Sequence, residues 1–135
     1  MLVREVLFLI GRGGAILWSD VSTSPTLLPD SRQRWEKIWE HRGELEEIAH
    51  SHPAGPLAFS QEDETTMSAL SSALGRELRF SVIAPDGMIV RRGAETSKMQ
   101  AEPWWAPLIR LASGMTPGRG TVRAKEPGNE PGKEE

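Results

Sequence analysis

Apolar positions along this chain fall into short runs broken by glycine, proline and charge. In REVLFLIGRGGAILWSD, residues 4–20, two apolar runs flank the glycines of 11–14, which predicts a β-hairpin. VSTSPTLLPD, residues 21–30, carries two prolines among hydroxyl residues and predicts a loop. Asp30 and Gln33 then stand at capping-box spacing, and Trp35, Ile38 and Trp39 recur at i, i+3, i+4. That pattern predicts a helix ending near Gly43, its apolar face and both tryptophans laid on a sheet. ELEEIAHSH, residues 44–52, alternates loosely as a strand before Pro53 and Gly55 forbid regular structure.

Ser60 predicts the start of a second helix, with Met67, Leu70 and Leu74 on one stripe and Gly75 as its stop. RFSVIAPDGMIVRR, residues 79–92, predicts a second hairpin turning at Pro85-Asp86-Gly87. AEPWWAPLIRLA, residues 101–112, predicts a short packed terminal segment in which Trp104 and Trp105 cannot both face one side. From Ser113 onward only Met115 and Val122 offer sizeable apolar surface, too little to offset the entropy of ordering. The expected organisation is one folded domain over 1–112 and a disordered tail over 113–135. Helices alternating with hairpins in this order predict an α+β domain with a mixed or mostly antiparallel sheet flanked by helices.

Charge and composition narrow the chemistry. The net charge of −3 gives no positive field to gather nucleic acid. No cysteine is present, which removes disulfides, thiolate zinc sites and cysteine nucleophiles, so any metal must be held by His, Asp or Glu. The longest apolar run, residues 6–10, is far below the roughly 20 residues a membrane span needs, and a cytoplasmic protein without membrane contact is expected.

Two of the three histidines lie in HSHP, residues 50–53. On a strand, side chains at i and i+2 share a face and lie about 6.6 Å apart along the chain, so His50 and His52 can converge on one ion while Ser51 points away. Asp63, in the first turn of the following helix, is a candidate third ligand. Two histidines and a carboxylate leave an open position on a catalytic zinc. Taken singly the same residues have plainer readings: paired histidines are common on surfaces, and Ser60-x-x-Asp63 is also a helix-capping pattern.

Jointly, HSHPAGPLAFSQED spells His-x-His, seven residues, Ser, two residues, Asp. This resembles the motif of the JAMM (JAB/MPN, Mov34/PAD-type) zinc metalloproteases, prokaryotic type, and the N-terminal hairpin resembles the RadC branch. The resemblance spans residues 1–112 and implies the family's cytidine-deaminase-like α+β fold. It also implies Zn2+ on His50, His52 and Asp63, and a peptidase or isopeptidase acting at the C-terminus of a ubiquitin-like or sulfur-carrier-like protein. Many family members carry a distant glutamate in an E…G-L-L-x-G context that this chain lacks.

The general base must therefore be sought by position. Glu46 shares parity with His50 but lies about 13 Å along the strand, and Glu47 points to the other face. Glu62 and Glu64 flank Asp63 on a helix and diverge from it. Glu5, at the start of the first apolar strand, is the expected base, with Glu40 and Glu44 as alternatives; an exposed charge at a strand end is its plainer reading. Ser60 is expected to donate its hydroxyl to a developing oxyanion. His41, at a helix C-terminus, is expected to be solvated. Two competing functions keep the same fold: a non-catalytic MPN scaffold and a RadC-like DNA-associated protein.

Removing residues 116–135 is expected to leave the thermal unfolding midpoint within about 2 °C of the full chain, because that segment has little apolar surface to dock. A calorimetric shift well beyond this would show that the tail packs on the domain.

Overall fold

The structure is a computed structural model describing residues 3–22 and 32–115. Ten short elements follow one another: β1 (Val6–Gly11), a 3-10 turn (Arg12–Gly14), β2 (Ile16–Val21), α1 (Arg32–Glu40), β3 (Leu45–Ser51), α2 (Gln61–Leu74), β4 (Arg79–Ala84), β5 (Gly87–Arg92), β6 (Glu95–Lys98) and α3 (Ala106–Ser113). The strands form one sheet in the order β2-β1-β3-β4-β5-β6. Every neighbouring pair is antiparallel except β3 and β4, which run parallel and are joined through α2. The sheet is mixed and helix-flanked, as the sequence pattern predicts.

Two apolar clusters lie on opposite faces. Leu7, Leu9 and Ile48 join Ile38 of α1 and Met67 and Leu70 of α2 on one side. Val6, Phe8, Ile10 and Ala49 join Trp105, Ala106 and Ile109 at the α3 end on the other. Being covered on both faces, β1 is buried at all six positions, which is why its sequence is a continuous apolar run rather than an alternation.

Trp105 is 1% exposed and meets Phe8 edge-on, with ring centroids 6.4 Å apart. Nearby, the buried Arg110 guanidinium pairs with Glu102 at 2.6 Å and donates to the carbonyls of Ala84 and Gly87, both at 3.1 Å. A buried cation is tolerated here because carboxylate and carbonyl oxygens replace its water. α3 is thereby tied to the β4–β5 turn.

Ser60 caps α2 and Gly75 ends it at φ 66°, where a left-handed backbone favours glycine. Four expectations change. β6 was not foreseen: its four residues, Glu-Thr-Ser-Lys, are all exposed and lack the apolar alternation that marks a strand. Gly87 pairs with Ala84 within the ladder, leaving Pro85 and Asp86 as the turn. Trp35 and Trp39 are 38% and 55% exposed rather than covering the sheet, where Ile38 takes the central position of α1. The domain does not stop at residue 112, since Ser113 is fully buried and Met115 is 6% exposed. Trp104 is exposed and Trp105 buried, as their adjacency predicts. The Asp30 cap, most of the 21–30 loop and residues 116–135 lie outside the described residues.

Replacing Trp105 with alanine is expected to destabilise the domain by about 3–5 kcal/mol, the cost of emptying a large core site. Urea unfolding followed by far-UV circular dichroism measures it, and a loss under about 1 kcal/mol would show that α3 is not integral to the core.

Candidate metal centre

Strand parity sets the first two donors. Ile48 packs on the α1/α2 side and Ala49 on the α3 side, so His50 shares the α1/α2 side and Ser51 does not. The His52 amide donates to the Ile83 carbonyl at 2.8 Å, carrying the β4 pairing one residue past β3 and keeping His52 on the same side as His50. The chain then turns, and the Gly55 amide reaches the His52 carbonyl at 2.9 Å.

α2 supplies the third donor. Its start beside the end of β3 brings Asp63 Oδ1 within 3.2 Å of His50 Nε2 and Oδ2 within 3.6 Å of His52 Nε2. The two histidine Nε2 atoms are 3.1 Å apart. One donor atom from each of the three residues lies within 4.8 Å of the others. The donor set also has suitable chemistry: His52 Nδ1 lies 2.9 Å from the Pro56 carbonyl oxygen, which can only accept, so Nδ1 carries a proton and Nε2 is the ring nitrogen turned toward Asp63. Two imidazole nitrogens and a carboxylate are what zinc takes in a site with an open position.

Electrostatics couples His50, His52 and Asp63 to one another. Burial opposes ionisation of Asp63, but hydrogen bonds from His50 and His52 prevail and hold its carboxyl well below the usual range. Burial likewise disfavours the charged form of His52, yet the bonds to Asp63 and the Pro56 carbonyl outweigh it and raise its pKa.

Asp63 is used twice. Its Oδ2 accepts from the Ser60 amide at 2.7 Å while its own amide donates to Ser60 Oγ at 3.0 Å, a reciprocal capping box. Capping and a donor position facing the two histidines are therefore compatible in this residue. The cap uses Ser60 Oγ as an acceptor and leaves its hydroxyl proton available.

Glu5 is brought to the site from a distant part of the chain. β1 lies antiparallel beside β3 with Leu7 opposite His50, and extending that register two residues sets Glu5 opposite His52. The side chain is only 8% exposed and lines the same cleft as the three donors. Burial raises its carboxyl above the usual range, partly offset by His50 and His52. The other carboxylates divide as follows. Glu46 sits among Arg12, Arg76 and Arg79 at 3.7–4.0 Å. Glu47 accepts from Ser81 Oγ at 2.6 Å on the α3 side. Glu64 is bound by Arg91 at 2.8 Å, and Glu62 is exposed at the cleft margin. Glu40 pairs with Lys37 and Glu44 lies near His41, and neither lines the cleft. His41 is likewise outside it.

The cleft, of about 1120 Å³, runs from these polar groups over an apolar floor of Leu7, Ile48 and Phe80 between α1 and α2. Arg34, also on its wall, was not foreseen. It is 8% exposed, lies 3.3 Å from Asp20, and its positive charge adds a small opposition to the burial-driven rise of the Glu5 pKa. The signal available was its i, i+4 spacing from the buried Ile38.

A profile of prokaryotic homologues of the JAB domain matches residues 8–103, most of the chain, and the protein belongs to that family. No curated protein matches it. The match begins after Glu5 and ends before α3, so the placement of both is a finding of the structure alone.

Asp63→Asn is expected to keep the α2 cap but weaken zinc binding by about 100-fold or more, beyond the 10–100-fold typical of losing an outer partner. Competition against a chromophoric chelator measures this, and wild-type affinity in the variant would remove Asp63 from the donor set.

Proposed function

We propose that this JAB-domain protein is a zinc-dependent metallopeptidase or isopeptidase that cuts a peptide or isopeptide bond at the flexible C-terminus of a ubiquitin-like or sulfur-carrier-like protein. The observation that carries this reading is the meeting of His50, His52, Asp63 and Glu5, from three separate elements, at one end of a single cleft. His50, His52 and Asp63 would hold the zinc. When bound, zinc supplies a Lewis acid that polarises the scissile carbonyl and makes water a nucleophile near neutral pH.

This chain's residues supply the remaining chemistry. Glu5, buried and low in the cleft, accepts the proton that water loses on attacking the carbonyl carbon. It then delivers that proton to the departing amine nitrogen, so the carboxylate returns unchanged as the carbon–nitrogen bond breaks. Ser60 turns its O–H toward the carbonyl oxygen as negative charge develops, while its acceptor side remains occupied by the Asp63 amide. The apolar floor of the cleft gives an extended peptide tail a dry surface, and the α2 N-cap at its margin orients the tail toward the zinc donors.

Retention of a complete donor set favours hydrolysis over a purely scaffolding role, because an interaction surface has no need of three converging ligands. Glu5→Gln is expected to preserve folding and zinc binding while lowering turnover by roughly 100-fold, the scale of a general acid–base group. Single-turnover cleavage of a ubiquitin-like fusion that the wild type processes measures this. Retained turnover would assign the proton transfer to another group.

A further inference from the structure

Behind the cleft, on the opposite face of the sheet, runs a buried line of hydroxyls that the proposed chemistry does not touch. Ser51, whose backbone lies between the two metal-site histidines, is fully buried facing α3. Its Oγ accepts from the Val6 amide at 2.9 Å and lies 2.7 Å from Ser113 Oγ. Ser113, in the last turn of α3 and also fully buried, lies 2.7 Å from the Ile109 carbonyl. Counting protons orders the chain. The Ile109 carbonyl can only accept, so Ser113 donates to it, and the Ser51 hydroxyl must then donate to Ser113 while accepting from Val6. Three donors meet three acceptors with none left over.

Further bonds fix the same stretch of chain. The Arg4 amide donates to the Ser113 carbonyl at 2.9 Å, Arg4 Nε donates to the Ala112 carbonyl at 2.9 Å, and the Ser22 amide donates to the Glu5 carbonyl at 2.8 Å. Both neighbours of Glu5 are therefore anchored to the C-terminal end of α3, one directly and one through Ser51. Glu5 stands just before β1 begins and beyond its last pairing with β3, Leu7 with His50, where a strand end would otherwise fray.

We infer that Ser113, acting through Ser51, is a positioning residue: the end of α3 clamps residues 4–6 from one face of the sheet so that the Glu5 carboxylate stays aimed at the metal donors on the other. This rests on the hydrolytic reading for its catalytic consequence, but the clamp is a structural claim that can be read separately.

The test uses the full chain with Ser51→Ala and Ser113→Ala, and Ser51→Thr as the variant that keeps a hydroxyl. Amide hydrogen exchange, resolved by residue, is followed at Val6 and at β4 as an internal control, alongside kcat and KM for cleavage of the ubiquitin-like fusion. The expected result is exchange at Val6 faster by roughly tenfold in both alanine variants, the scale of one lost hydrogen bond, with β4 unchanged and Ser51→Thr close to wild type. Turnover is expected to fall about tenfold at unchanged KM, since substrate binding is untouched while the base is misaimed. Unchanged exchange at Val6 would overturn the clamp, whatever the activity. Faster exchange with undiminished kcat would overturn the positioning role, as would a uniform rise across β4, which marks general destabilisation. If the wild type cleaves nothing, the hydrolytic reading fails by itself, and the clamp stands or falls on the exchange at Val6 and its recovery in Ser51→Thr.

Discussion

The antiparallel register of β1 on β3 is the constraint on which the rest of the molecule depends. With Leu7 opposite His50, every odd residue of β1 and every even residue near the end of β3 share the α1/α2 side of the sheet. A slip of one residue would turn Leu7 and Leu9 toward α3 and remove Glu5 from the cleft in the same movement. Core packing and site assembly are therefore one requirement, because the strand that fills both apolar clusters also carries the buried carboxylate. The continuous apolar run of β1 makes either slip equally hydrophobic. Something other than hydrophobicity must hold the register, and hydrogen bonds from the Val6 amide to Ser51 Oγ and from the Arg4 amide to the Ser113 carbonyl of α3 are placed to do so.

Asp63 shows how a short chain makes one side chain serve two purposes. A carboxylate at this position of α2 is favoured by the helix dipole and by the Ser60 amide before any metal is considered. The helix start is thus fixed at a point where the carboxylate already faces both histidines. The turn after His52 completes the arrangement from the other side, since the Pro56 carbonyl fixes which ring nitrogen carries the proton.

Polarity is divided between the two faces of the sheet. The α1/α2 face carries the histidines, Glu5 and the cleft, whereas the α3 face buries Ser51, Ser81, Glu47 and Ser113 in closed hydrogen-bond pairs. Buried hydroxyls with all partners present are rigid and costly to disturb, and this makes the α3 face a fixed platform. The Arg110–Glu102 pair and the Trp105 contact with Phe8 hold α3 itself in place. The candidate metal centre lies on the side of the sheet that keeps an open cleft, because the other side is closed by packing against α3.

The convergence of His50, His52 and Asp63 was legible in the sequence because its geometry is local. His50 and His52 share a face by strand periodicity, Ser60 and Asp63 are fixed by helix-cap spacing, and only a short loop separates the two pairs. Helix limits at Ser60 and Gly75 and the two hairpins were legible for the same reason. Glu5 could be reached in the sequence only by excluding other carboxylates, while the structure supplies the positive cause, the pairing of β1 with β3 that sets Leu7 opposite His50. Arg34 at the cleft wall was signalled only by its spacing from Ile38, while the burial of Ser113 beyond the expected domain limit and the exposed strand β6 carry no periodic signature at all. Local spacing constrains side-chain direction directly, so the amino-acid sequence by itself determined that His50, His52 and Asp63 would converge. Which strand lies beside β3, and in what register, depends on contacts between distant segments whose energies are settled together, and only the tertiary structure decided that Glu5 would face them.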